Sequence, residues 1–285
     1  MSSTSPPLHV WPVLAVAVAA ISAAAVLVGA MDGVHPVSIA LWRTTLVGLL
    51  LAPWVRPPGR TDLVRIALAG ACLAAHFATW FASLQLTTVL RSTVLVCLGP
   101  VWTGLAEWVL EGRAPSVRWW LGVGLAVPAA ALLGADPAPG GSLLGDGLAL
   151  LGGLLGAIYF LLGRSVRARV GIGTYGSLVC VAAALCLLPT ALVVGAPLWG
   201  FDWPVWLGIA ALALGPQMLG HNGFNYALRY LPASIVTTAT LLEPAGAAIL
   251  AWIFLAQVPT PLTVIAGILA LAGVMLAAWP RRKAA

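Results

Sequence analysis

Charge is what this sequence has least of. Asp, Glu, Lys and Arg make up 8% of 285 residues, and lysine occurs once, at Lys283. A soluble domain carries about 25% charged residues, so a water-facing globule is excluded. Cysteine is also sparse: Cys72, Cys97, Cys180 and Cys186 fall in apolar runs without metal-ligand or redox spacing, and read as small packing residues. Residues 1–10 hold no Lys or Arg. The basic leader of a secretory signal is therefore missing, and the first apolar run reads as a retained helix. No phosphate-binding loop is present, which excludes a self-contained ATP-driven pump. No Gly-x-Ser-x-Gly and no His-Glu-x-x-His occurs either, so an intramembrane enzyme acting on lipid or peptide, kept as the alternative reading, lacks its usual motifs.

What is abundant is apolar length. The hydrophobic fraction is 61%, and one helix needs roughly 20 apolar residues to cross a bilayer core of about 30 Å. Ten such segments are expected, over 11–29, 36–54, 63–84, 88–110, 117–134, 144–163, 174–195, 203–228, 232–256 and 262–279. The fold class expected is all-α membrane, with ten transmembrane helices.

The few charges are sorted by sign. With the N-terminus inside, the inner loops hold Arg56, Arg60, Arg65, Arg113, Arg118, Arg164, Arg167, Arg169, Arg229 and the tail Arg281-Arg282-Lys283. The outer loops hold Asp32, Asp136, Asp146 and Asp202, and only Arg43 and Arg91 lie on outward-facing halves or ends of helices. Excess Arg on short inner loops is the positive-inside signal, so both termini are expected in the cytoplasm. This sorting accounts for the net charge of +6 without a nucleic-acid partner. High Ala, Gly and Arg-over-Lys usage points to a GC-rich bacterial genome and a bacterial inner membrane. Trp11, Trp54, Trp119, Trp120, Trp199, Trp203, Trp206 and Trp279 cluster near segment ends and read as interface anchors.

A weak internal repeat shows around two prolines. Cys97-Leu98-Gly99-Pro100-Val101 aligns with Leu241-Leu242-Glu243-Pro244-Ala245, which sets Trp80 against Phe224 and Pro115 against Pro259. His76 and His221 then fall within one position of each other. Five segments per half is an odd number, so the second half enters the membrane in the opposite sense, as in secondary transporters built from inverted repeats. The expected units are a short N-terminus (1–10), a first repeat (11–136), a second repeat (137–280) and a basic tail (281–285).

These motifs in this order resemble the EamA-type ten-helix transporters of the drug/metabolite transporter superfamily. The resemblance rests on His35-Pro36 followed by Arg43, on Phe81-Ala82-Ser83-Leu84 through Gly99-Pro100-Val101 to Glu111-Gly112-Arg113, and on Gly145-Asp146-Gly147-Leu148-Ala149-Leu150, Asn225-Tyr226-Ala227-Leu228 and Glu243-Pro244. One departure is the helix-end acidic residue of the second half, replaced around Ala256-Gln257. The resemblance implies a bundle around a central cavity, alternating access, and outward movement of small metabolites, amino acids prominent among them. It also implies that the third, fourth, eighth and ninth helices supply much of the cavity wall.

The residues themselves add candidates, because intramembrane ionisable groups cost roughly 2.5–3.5 kcal/mol on insertion scales. Glu243 lies about eleven residues, roughly 16 Å, into its segment, close to the bilayer midplane. It either binds a substrate amine or carries a proton, or it pairs with a buried Arg or hydroxyl beside the Pro244 kink. Arg43 either meets a substrate carboxylate or ties to an acidic group such as Glu107 or Glu243. Glu111 is expected to cap the following loop with Arg113 or Arg118, and Arg91 to anchor a helix end. His76 and Trp80 are i,i+4 neighbours, answered on the eighth segment by Gln217, His221, Asn222, Asn225 and Tyr226, with 221 and 225 on one face and 222 and 226 on another. Trp102 is a further candidate wall. Together these suit a zwitterionic or aromatic small molecule, or else interhelical hydrogen bonding in a packed bundle. No third ligand accompanies the histidines, so neither a metal nor a cofactor is expected. Gly152 and Gly156 on the sixth segment allow close helix approach. The function expected is export of amino acids or related metabolites, proton-coupled or facilitated, with no enzymatic activity. The partners expected are a small-molecule substrate and the lipid bilayer, in a monomer or homodimer. A purely regulatory membrane subunit fits less well, since no sizeable soluble loop is present.

Overall fold

The computed structural model describes residues 6–31, 33–87, 89–112, 114–134, 142–255 and 261–278. Helices fill them almost completely, and no strand occurs among the described residues. Four helical stretches, Val10–Gly29, Arg60–Leu86, Leu143–Arg167 and Ile172–Val193, are long and apolar enough to cross a membrane. The other apolar segments are helical too, but shorter or broken.

The first half holds α1 (Val10–Ile21), α2 (Ala24–Gly29), α3 (Pro36–Leu50) with a 3-10 turn over Ala52–Trp54, α4 (Arg60–Leu86), α5 (Val89–Val96), α6 (Gly99–Glu111) and α7 (Val117–Gly134). The second holds α8 (Leu143–Arg167), α9 (Ile172–Val193), α10 (Trp203–Leu212), a π-helical stretch Ala213–His221 running into α11 (Asn222–Ala227), then α12 (Ala233–Thr240), α13 (Glu243–Leu255) and α14 (Pro261–Ala278). Local chemistry sets several ends. Pro36 opens α3 at its first turn, where its missing N–H costs nothing. Gly112 closes α6 in the left-handed region, φ 65°, which a side chain would resist. Ser142 accepts from the Gly145 N–H to cap α8 (3.4 Å).

Three interruptions matter most. α1 and α2 part at Ser22–Ala23, where the Ser22 hydroxyl donates to the Val18 carbonyl (2.8 Å) and competes with the helical ladder. α5 and α6 part at Cys97–Leu98, before Gly99-Pro100, and α12 and α13 part at Leu241–Leu242, before Glu243-Pro244. Each proline lacks the N–H that a continuous helix would use.

Packing runs mainly between the halves. α4 packs on α8 and α9, α3 on α9, α7 on α14, α6 on α12, and α1 on the π-helical stretch and α11. Glycines set the closest approaches: a Cβ at Gly70 of α4 would stand 2.5 Å from Ala182 Cβ, and one at Gly153 of α8 would stand 2.7 Å from the Val96 carbonyl. The outer surface is apolar, with Val109, Val193 and Phe254 exposed, while Arg43, Asn225 and Gln217 are buried. An apolar exterior with polar side chains turned inward is what a lipid solvent selects.

Tryptophans divide by environment. Trp54, Trp199 and Trp203 are exposed, as interface anchors require, and Trp120 is also exposed. Trp42 joins Trp199 and Trp206 in an edge-to-face cluster and donates from Nε1 to the Leu198 carbonyl (2.8 Å). Trp119 departs from expectation. It is buried against Gly104, where only the absence of a side chain leaves room for the indole. Asp32, Asp136, Ala256-Gln257, Trp279, the tail 281–285 and the side chains of Arg91, Glu111 and Arg113 lie outside the described residues.

Candidate functional site

The three helix interruptions converge on one internal cavity. Ile21, Cys97, Gly99, Thr240 and Glu243 line it from the broken ends, and His76, Trp80, Gly153, Gly156, Phe160, His221 and Thr237 complete the wall. About 40 Å³ is open to the centres of water molecules. One water needs roughly 10–15 Å³ by that measure, so a few waters fit and an amino acid does not.

Of the residues singled out from sequence, the cavity brings together His76, Trp80, His221 and Glu243. Glu243 is the first residue of α13, where the positive end of the helix dipole favours a carboxylate. Its Oε2 accepts from the Cys97 thiol (3.5 Å), and its Oε1 has no partner among the described residues. Cys97 is thus more than a packing residue.

His76 and the Gly152 carbonyl are 2.7 Å apart at Nδ1. A carbonyl only accepts, so Nδ1 carries the proton and Nε2 of the neutral ring is left as an acceptor. Gly156 makes this approach possible, since a Cβ there would stand 3.0 Å from Nδ1. His221 ends the π-helical stretch, an irregularity frequent at functional sites. Phe77, Tyr159, His76 and Phe160 surround its ring at centroid distances of 5.2, 5.9, 6.1 and 6.3 Å. Neither ring nitrogen of His221, nor Trp80 Nε1, has a hydrogen-bond partner among the described residues. No group of three metal-ligating side chains occurs among the described residues.

The remaining candidates lie elsewhere. Arg43 is fully buried, yet its guanidinium makes no ion pair or hydrogen bond among the described residues. It lies over Phe77, 4.1 Å from the ring centroid, in cation–π contact. The expected tie to Glu107 or Glu243 is therefore not made. Glu107 instead accepts from the Ser234 hydroxyl (2.5 Å) and from the Ser234 N–H (3.3 Å), capping α12 with a carboxylate. Asn225 donates to the Tyr159 hydroxyl (2.5 Å) behind the cavity. Asn222 and Tyr226 point the other way, into an apolar groove beside α1. Trp102 is partly buried, its Nε1 has no partner among the described residues, and it does not line the cavity.

One interhelical seam links the cavity to the Glu107 cap. Between α6 and α12, the Thr103 and Thr237 hydroxyls meet at 2.7 Å, between the Cys97–Glu243 and Glu107–Ser234 contacts. Glu107→Gln is expected to lower stability by about 0.5–2 kcal/mol, the usual worth of a helix cap, read as the thermal midpoint in detergent. An unchanged midpoint would remove the cap from the account.

Thr237, Thr240, Gly153 and Phe160 were not singled out from sequence, and two of them had a signal. Thr237, Thr240 and Glu243 are spaced by three, which on a helix puts them along one face.

Comparison with known proteins agrees with this architecture. Residues 9–135 and 143–279 match the EamA-like transporter family. A probable terminal-alkyne amino-acid exporter of Streptantibioticus cattleyicolor is 26% identical over 279 residues, covering 94% of this chain and 92% of its own. The threonine/homoserine exporter RhtA of Escherichia coli strain K12 is 31% identical over 249 residues, covering 84% of this chain and 79% of its own. A solved crystal structure superposes with a TM-score of 0.78 at 18% identity, over 94% of this chain and 96% of that one, and supports the fold alone.

Proposed function

Since the chain belongs to the EamA-like transporter family, we propose that it is a secondary transporter exporting amino acids or related small metabolites across a bacterial inner membrane. Relatives named as exporters of amino acids support this class over the enzymatic alternative. The chain crosses the membrane ten times, as two inverted repeats over 11–136 and 137–280. Supporting this, the fourth and ninth apolar segments break at aligned positions, and α6 and α13 restart at Gly99 and Glu243. The arginine-rich loops face the cytoplasm, with both termini.

The observation that carries the reading is the cavity itself, a largely apolar chamber where broken helices meet and into which Glu243 brings a carboxyl with one oxygen unpartnered among the described residues. Glu243 binds the substrate ammonium or a proton. His76, Trp80 and His221 form the facing wall. Because the cavity has room for only a few waters in this conformation, substrate binding requires the halves to move apart, as alternating access demands.

The test is flux of labelled amino acids and organic cations into proteoliposomes, with and without a pH gradient. Saturable amino-acid flux is expected. Absence of flux for every amino acid, from protein shown to be folded, overturns the substrate class. Flux unaffected by the gradient removes the proton from the mechanism.

A further inference from the structure

Away from the cavity, two surface depressions join into one. The first, about 580 Å³, lies between the loop that precedes α4 and the start of α9, and is bordered by Trp54, Arg56, Arg169 and Thr174. The second, about 550 Å³, runs between α1, α9 and the π-helical stretch, bordered by Val13, Val16, Leu219 and Tyr226. Leu51, Ile172 and Gly173 belong to both, so a basic mouth continues directly into an apolar channel.

The mouth is built rather than incidental. The Arg56 N–H donates to the Thr174 hydroxyl (2.9 Å), which donates to the Trp54 carbonyl (3.3 Å), fixing the loop against the first turn of α9. Gly171 starts that helix without a side-chain cap, so its first turn offers backbone donors beside two guanidiniums. Arg169 is exposed, bonded to Asp62 (2.5 Å), and held above its ordinary pKa by that bond. Trp54 is 63% exposed, as suits a headgroup-level indole. At the other end, Val16 is 52% exposed, whereas Asn222 is only 5% exposed, with no partner for its Oδ1 among the described residues.

We propose that this composite groove binds an anionic phospholipid. Its phosphate sits among Arg56, Arg169 and the first turn of α9, and one acyl chain lies along α1 and the π-helical stretch. Charge complementarity at one end and an apolar channel at the other call for a ligand with that polarity along its length. A free phosphate uses only the mouth, and a neutral lipid only the channel. The occupied channel touches Met218, Leu219, Asn222 and Gly223, next to His221, so the lipid braces the segment that forms the cavity wall.

The test is native mass spectrometry of the detergent-purified full chain titrated with phosphatidylglycerol or phosphatidylcholine of matched acyl chains. Thermal midpoints are measured in parallel, with glycerol 3-phosphate as the soluble control. Selective retention of phosphatidylglycerol is expected, with a raised midpoint. Arg56→Gln should weaken it about fivefold, the usual worth of one basic residue at an anionic surface, and the control Arg65→Gln, outside the groove, should leave it unchanged. Val16→Trp, filling the channel, should abolish retention while the protein stays folded. Equal retention of phosphatidylcholine overturns the proposal, as does a midpoint shift reproduced by glycerol 3-phosphate or retention that survives Val16→Trp.

Discussion

Glu243→Gln is expected to cut amino-acid flux roughly ten- to a hundredfold while leaving the thermal midpoint nearly unchanged. The substitution keeps the shape of the side chain and one carbonyl oxygen to accept from Cys97, so the packing at the α12–α13 break survives. What disappears is the ionisable carboxyl facing the cavity. A hydrogen bond to a charged group is worth about 1.5–3 kcal/mol, and each 1.4 kcal/mol is tenfold in affinity. Flux through reconstituted protein, with the pH gradient on and off, reads the loss. A variant that transports normally leaves Glu243 with only the role of shaping the kink before Pro244. A variant that loses only the gradient-dependent part marks it as the proton carrier.

The largest effect on stability is expected at Gly70. A Cβ there would stand 2.5 Å from Ala182 Cβ and 2.8 Å from the Val179 carbonyl, and backbone cannot rotate aside. Gly70→Val should therefore force α4 from α9 and destabilise by about 3 kcal/mol, the upper part of the overpacking range. Gly124, with open space where a Cβ would stand, is the control. Gly124→Ala should be neutral or stabilising by up to about 1 kcal/mol, the helix-propensity gain alone. Thermal unfolding in detergent separates the two. A Gly70→Val protein that melts with the parent means the helices are not in close contact there.

Helix positions were legible in the sequence because span length and apolar content follow directly from bilayer thickness. The aligned prolines also marked where two of the helices break. The break at Ser22–Ala23 and the π-helical stretch had no such marker. A serine within an apolar run is common, and a π-helix changes register without changing composition. Within the site, spacing groups residues 221 with 225 and 222 with 226, but periodicity does not say which face is inward. The structure turns His221 to the cavity and Asn222 to the groove by α1. The sequence offers Glu107 as a proton-coupling or charge-pairing residue, with Arg43 as one possible partner. The partner it has, Ser234, is a neutral residue 127 positions away, invisible to any local pattern. Trp119 was assigned to the interface by position alone, and the vacancy at Gly104 that admits it lies on another helix.

The seam between α6 and α12 bears on how the chain is assembled. Its contacts join residues 127, 134 and 146 positions apart, so none forms until most of the second half has left the ribosome. Until then Glu107 lacks its Ser234 donors, and an unpaired carboxylate within the bilayer costs on the order of 2.5–3.5 kcal/mol. The first half synthesised alone should therefore be less stable than it is within the whole chain. Halves synthesised as separate chains should acquire stability only upon meeting.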